Sequence, residues 1–218
     1  MEADSRPYGR RAFLGLVFAG TSSLVWGRAA WSHVAGATQI LPFVPGWRTY
    51  TVAATMPRFD PATWRLTIDG LVEQPTTLSY ADLLALPQAD QTSDFHCVTG
   101  WSVDNVRWRG VRFADLLAVA KPLPTAKAIT FTSAEIPYVE TLTLPQALLP
   151  DALLAHSMDG KPMPRNHGAP ARVVMPRMYG YKGTKWVERI TLVDDPPYGY
   201  WEQRGYDRDA RIGGTPRV

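Results

Sequence analysis

The chain has 218 residues, 45% of them hydrophobic and 20% charged, with a formal net charge of +3. That apolar content can bury one domain-sized core and is short for two. The mild positive charge is scattered among Trp, Pro and acidic neighbours without forming a basic run, so nucleic acid binding has no support.

In chain order, Arg10-Arg11 precede Ala12-Phe13-Leu14 and an apolar stretch that reaches Val25. Paired arginines ahead of a modest apolar run resemble a twin-arginine export signal, and Ala35-Gly36-Ala37 offers a small-x-small cleavage site. Residues 1–37 are therefore expected to direct export to a periplasmic or other extracytoplasmic compartment. The apolar run of about 14 residues falls short of the roughly 20 that span a bilayer, which disfavours a permanent anchor. The plain alternative is an apolar N-terminal helix that two arginines happen to flank. Residues 41–61, with four prolines and a glycine, read as an extended arm lying on the domain.

Residues 64–70 alternate apolar with polar and close on glycine, the pattern of a half-buried strand and turn. Ser79 with Asp82 resembles a capping box opening a short helix that Pro87 follows. The polar stretch ahead of Phe95 reads as a connection, and residues 113–120 as a second short helix. Residues 128–133 and 138–142 read as strands joined by a turn at Ile136-Pro137, after which Thr143-Leu144-Pro145 opens another short helix. Residues 171–175 and 186–193 are two further strands. The sum is an α+β fold of mixed, mostly antiparallel short strands with short helices. Its catalytic domain is expected over residues 38–195. A tail, 196–218, follows: its aromatic part (Tyr198, Tyr200, Trp201, Tyr206) packs down and its last residues fray.

The only cysteine is Cys97. An odd cysteine in an exported protein asks for intermolecular pairing, a free thiol or a metal. It excludes an internal disulfide, a Cys-x-x-Cys-His haem attachment and a four-cysteine iron-sulfur site. It lies in Phe95-His96-Cys97-Val98-Thr99-Gly100-Trp101, ahead of Trp108-Arg109-Gly110. An aromatic loop with cations nearby can lower a thiolate's pKa and shield a soft metal, although a lone cysteine is commonly just a small buried hydrophobe.

A second stretch, residues 156–186, contains Asp159-Gly160-Lys161-Pro162, His167-Gly168-Ala169-Pro170, Arg172 and Tyr179-Gly180-Tyr181-Lys182-Gly183-Thr184-Lys185-Trp186. Gly180 and Gly183 let backbone amides approach a ligand, and Arg172, Arg177, Lys182 and Lys185 bring positive charge. Such a loop suits a phosphate or pyrophosphate. The spacing is neither that of a P-loop nor that of a dinucleotide-binding Gly-x-Gly-x-x-Gly.

The two motifs in this order, over residues 50–193, resemble the molybdopterin domain of the sulfite oxidase superfamily, which includes bacterial relatives such as the periplasmic methionine-sulfoxide reductases. The resemblance implies a sulfite-oxidase-type molybdopterin fold, a molybdenum-molybdopterin cofactor and Cys97 as the metal's protein ligand. It places Tyr50, Ser133, His167, Arg172, Gly183, Thr184 and Lys185 where the family contacts the pterin or its phosphate. It leaves His96 either donating to the dithiolene or merely packing. Cys97, Trp101, Tyr138 and Lys182 are the expected catalytic and substrate-wall residues. Of the eight Trp, most must be core, Trp64 and Trp186 among them.

Thr99-Gly100-Trp101-Ser102 lacks the arginine that sulfite oxidases carry after the cysteine, and Lys182 stands where another arginine would be expected. The incomplete set favours reduction of a small S- or N-oxide over sulfite oxidation. Without a haem motif, electrons are expected to come from another protein, a membrane b-type cytochrome or a soluble cytochrome c. The chain also ends without the family's C-terminal dimerisation domain, so a monomer is expected. Other classes stay open at this stage. One is a thiol hydrolase or transferase with Cys97 activated by His167 or His156; others are a zinc site from Cys97, His96, His156 and His167, and a metal-free binding module.

Overall fold

In the computed structural model, residues 46–214 are described; the expected export signal lies outside them. The alternating run after Trp64 forms β1 (Arg65–Gly70), which turns Leu66 and Ile68 inward with no exposure. Burying each such side chain contributes about 1.5–3 kcal/mol. Strand β2 (Thr76–Ser79) leads into α1 (Tyr80–Ala85), where Ser79 and Asp82 form the expected capping box. The helix α2 (Phe113–Ala120) buries Phe113, Leu116, Leu117 and Ala120, one face at helical spacing. It ends at Lys121 in the left-handed conformation, whose amide donates to the Leu117 carbonyl.

Between those helices the chain departs from the sequence reading. The polar stretch taken for a connection is β3 (Ala89–Cys97), and it pairs antiparallel with β4 (Trp101–Arg112) in a long hairpin. Cys97 lies opposite Trp101 at the hairpin's end rather than in a free loop. The remaining strands are β5 (Ala128–Ser133), β6 (Val139–Thr143), β7 (Leu153–Met158), β8 (Lys161–Pro162), β9 (Arg172–Val174) and β10 (Val187–Val193), with α3 (Leu144–Ala147) after β6.

They build two sheets. One has the order β2-β1-β10-β5-β6, and the other runs β3-β4-β7-β8 with β9 also on β7. The β1–β10 pair is parallel and the other strand pairs are antiparallel. The α+β architecture expected from the sequence is the one observed. The larger apolar core joins β1, β5 and β10 to α2 through Leu66, Ile68, Leu116, Phe131 and Ile190. A smaller cluster on the second sheet, with Val106, Trp108 and Leu153, has Trp47 and Phe95 packed against it. That second cluster forms the floor on which the site is built.

Candidate active site

A cavity of about 440 Å³ opens where four segments meet: the arm with Trp47 and Tyr50, the β3–β4 hairpin with Phe95, Cys97 and Trp101, the turns carrying His167 and Gly183, and the tail with Tyr200, Trp201 and Tyr206. Strand alternation puts Phe95 and Cys97 on one face of β3. The same alternation turns His96 to the other face, where Nδ1 lies 2.7 Å from Ser102 Oγ. His96 is off the lining and its ring is held by this hydrogen bond, which accords with the packing role of the two left open by the sequence. The sulfur of Cys97 lies 3.1 Å from Thr99 Oγ1, with no imidazole as its partner. This gives a nucleophilic thiol–histidine pair no support. The zinc grouping fares no better: among the described residues no three His, Cys, Asp or Glu converge.

The cationic end is built around Arg172. Its guanidinium is buried, donates to His167 O at 3.3 Å and Gly183 O at 3.4 Å, and sits over the rings of Phe95 and Trp108 at 5.3 and 5.5 Å. Burial lowers its pKa to about 10. The neighbouring Lys185 is lowered to about 8, first by burial and then by Arg172, with Glu135 opposing. Its Nζ donates to the Tyr50 carbonyl and lies 4.2 Å from the Trp186 ring centroid. His167, edge-on to Trp47 at 4.7 Å, is held at about 4 by burial, Arg172 and Lys185, and is therefore neutral near pH 7.

Buried Arg172 and half-buried Lys185 thus share one wall, an arrangement that favours an anion. The residues also fit a polar group in their hydrogen-bonding capacity. Arg172 Nε and Trp101 Nε1, both from lining residues, are buried donors without a protein partner. Left so, each would cost about 1–3 kcal/mol.

Tyr50, Cys97, Trp101, Tyr138, His167, Arg172, Gly183 and Lys185, all singled out from sequence, line the cavity. Three others singled out from sequence lie off the lining. Ser133 Oγ donates to Lys185 O at 2.7 Å and accepts from the Glu135 amide at 2.9 Å, so it supports the lining from behind. Thr184 is fully buried next to Gly183 and is not on the lining. Lys182, expected on the substrate wall, is 1% exposed and donates to Glu140 Oε1 and Thr141 O, both at 2.9 Å, and to Glu202. Burial drives that ammonium toward two carboxylates and away from the cavity. The sequence reading missed Trp47, Phe95, Glu135 and the tail aromatics as lining; the aromatic density of residues 198–206 was the available signal.

A family profile described as an oxidoreductase molybdopterin binding domain matches residues 53–201. The Bacillus subtilis (strain 168) oxidoreductase YuiH is 38% identical over 148 residues, 67% of this chain and 74% of that protein. The protein-methionine-sulfoxide reductase catalytic subunit MsrP of Gluconobacter oxydans (strain 621H) is 37% identical over 68% of this chain and 53% of its own length. The sulfane dehydrogenase SoxCD of Paracoccus pantotrophus, a solved structure, aligns with a TM-score of 0.66 and 25% identity over 72% of this chain and 46% of that one. The chain thus spans about half the length of the latter two.

Proposed function

The chain belongs to the oxidoreductase molybdopterin-binding domain family, and from that premise we propose that it is an exported enzyme reducing small neutral S- or N-oxides by oxygen-atom transfer. The observation that carries the substrate reading is Lys182. An anion such as sulfite needs a cation at the substrate wall, and the lysine that sequence placed there is bound by Glu140 and Glu202. What faces the cavity instead is aromatic: Tyr138, Tyr200, Trp201 and Tyr206. Such a wall accepts an uncharged, partly apolar oxide without leaving a buried charge unpaired.

In this reading Cys97 holds the molybdenum, and Arg172 and Lys185 hold the anionic part of the pterin. The bound cofactor supplies a two-electron couple and an acceptor for the oxygen atom. The chain's own part is to bind, orient and exclude water. Arg172 is fixed by its two carbonyl contacts, neutral His167 offers a hydrogen bond and no charge, and Trp47, Trp101 and Tyr50 close the arm over the hairpin. The overall reaction takes a sulfoxide, two protons and two electrons to a thioether and water. The electrons come singly from a b-type or c-type cytochrome.

The test is metal and pterin analysis of protein made in a host that synthesises the cofactor, together with Cys97→Ser. Stoichiometric molybdenum and pterin are expected, with oxide reduction abolished in Cys97→Ser while the folded variant still holds pterin. Full activity in that variant, or sulfite oxidation outpacing oxide reduction in the wild type, would overturn the reading.

A further inference from the structure

Residues 199–206 cross the edge of the first sheet and supply three aromatic side chains to the cavity wall. The Tyr200 amide donates to the Val139 carbonyl on β6 at 2.7 Å. The Tyr200 ring stacks on Tyr138 at 5.4 Å, the Arg204 guanidinium lies 3.6 Å from its centroid, and Tyr200 lines the cavity. Trp201 meets Tyr200 and Tyr206 edge-on or tilted, each at 5.2 Å. Tyr138 in turn donates its hydroxyl to the Tyr181 carbonyl at 2.5 Å. The wall is therefore a connected set of rings anchored at both ends.

Behind it lies the buried cluster of Lys182, Glu140 and Glu202. Lys182 bridges the two carboxylates, and Glu202 uses its second oxygen to accept the Gly199 amide at 2.9 Å and to pair with Arg208 at 3.5 Å. The backbone runs so close that a Cβ on Gly199 would lie 2.2 Å from Glu140 Oε1. Apolar residues of equal volume would pin a tail at less desolvation cost than three buried ionisable side chains do. What ionic hydrogen bonds add is direction: they fix the segment in one register, where apolar packing tolerates sliding.

We propose that Lys182 and Glu202 are positioning residues that hold residues 199–206 in the one register at which Tyr138, Tyr200 and Trp201 form an apolar subsite for an aryl or similarly flat substituent on the substrate. Aromatic walls take such a ring in the favoured edge-to-face or offset-stacked geometries. This rests on the oxide-reducing reading above, and the test below separates the two.

The molybdenum-loaded chain is assayed with dimethyl sulfoxide and methyl phenyl sulfoxide, using a reduced viologen as electron donor. The wild type is expected to favour the aryl substrate in kcat/KM by about tenfold or more. Glu202→Gln and Tyr200→Leu each bring that ratio toward one. A misfolded fraction lowers both rates equally and leaves the ratio alone, so a collapsed ratio reports wall geometry and not lost stability. Where Glu202→Gln fails to fold, Gly199→Ala displaces the same segment without removing a charge.

Binding of methyl phenyl sulfone against dimethyl sulfone, followed by tryptophan fluorescence, gives a readout that needs no turnover; the aryl ligand is expected to bind about tenfold or more tighter. Equal preference for the two sulfoxides and the two sulfones in the wild type, or a ratio unmoved in both Glu202→Gln and Gly199→Ala, overturns the proposal. Aryl-selective sulfone binding with neither sulfoxide reduced keeps the subsite and overturns the oxide-reducing reading.

Discussion

Lys185 lies beside Arg172 on the cavity wall, and its charge there depends on pH. Its pKa falls from 10.5 to about 8 because it is buried and because Arg172 stands beside it. Between those two values the unfolded chain keeps a proton that the folded chain releases, so this group makes stability rise with pH across that window. Below about 8 the folded protein carries the charge at a cost that a bound anion relieves. Inorganic sulfate, whose charge does not change over this range, should therefore raise the melting temperature of protein made without cofactor, and raise it more at pH 7 than at pH 9. Lys185→Met should remove most of that pH difference. Thermal scans with equal shifts at both pH values would mean that Lys185 does not face the anion.

At the scale of elements, legibility in the sequence followed burial. β1, β10 and α2 each bury a periodic apolar set, and their positions could be read from that period. β3 could not be: it alternates half-buried with exposed and contains no fully buried residue, so its signal is that of a polar loop. Residue type alone was enough to single out Cys97, Arg172 and Lys185, and all three line the cavity. It was not enough where a distant partner decides the role. Lys182 read as a free cation because Glu140, 42 positions earlier, meets it only in the fold. Gly110, noted in the sequence only as a neighbour of the cysteine loop, is fixed by sheet packing. A Cβ there would lie 2.1 Å from Leu154 O and 2.6 Å from Ala155 Cα, both backbone atoms of β7. Gly110→Ala should force β4 from β7 and destabilise the protein by about 1–3 kcal/mol. Because β7 also pairs with β9 at Arg172, pterin content should fall with it. A urea midpoint equal to that of the wild type would show that the two strands can part without cost.

Across the whole molecule, the tail, the first sheet and the loop after β9 are joined through the same buried carboxyl groups, so the ionisation of Glu140 couples to global stability. Glu140 is raised from 4.5 to about 7, chiefly by burial, with Lys182 opposing and Glu202 adding to the rise. A carboxyl raised in the folded state keeps a proton that the unfolded chain has lost. Its contribution is complete below 4.5 and is lost as pH climbs through about 7. His167, lowered to about 4 from 6.5, acts in the opposite sense over an overlapping range, so the wild-type profile alone cannot isolate Glu140. Comparison with Glu140→Gln can, since every other group cancels in the difference. As pH rises from 5 to 8, the variant, which cannot ionise, should gain stability relative to the wild type in urea titrations. Lys182 keeps Glu202 as its partner, so the cluster is not left with an unpaired ammonium. Parallel profiles would mean that Glu140 is charged throughout that range and that Lys182 outweighs burial.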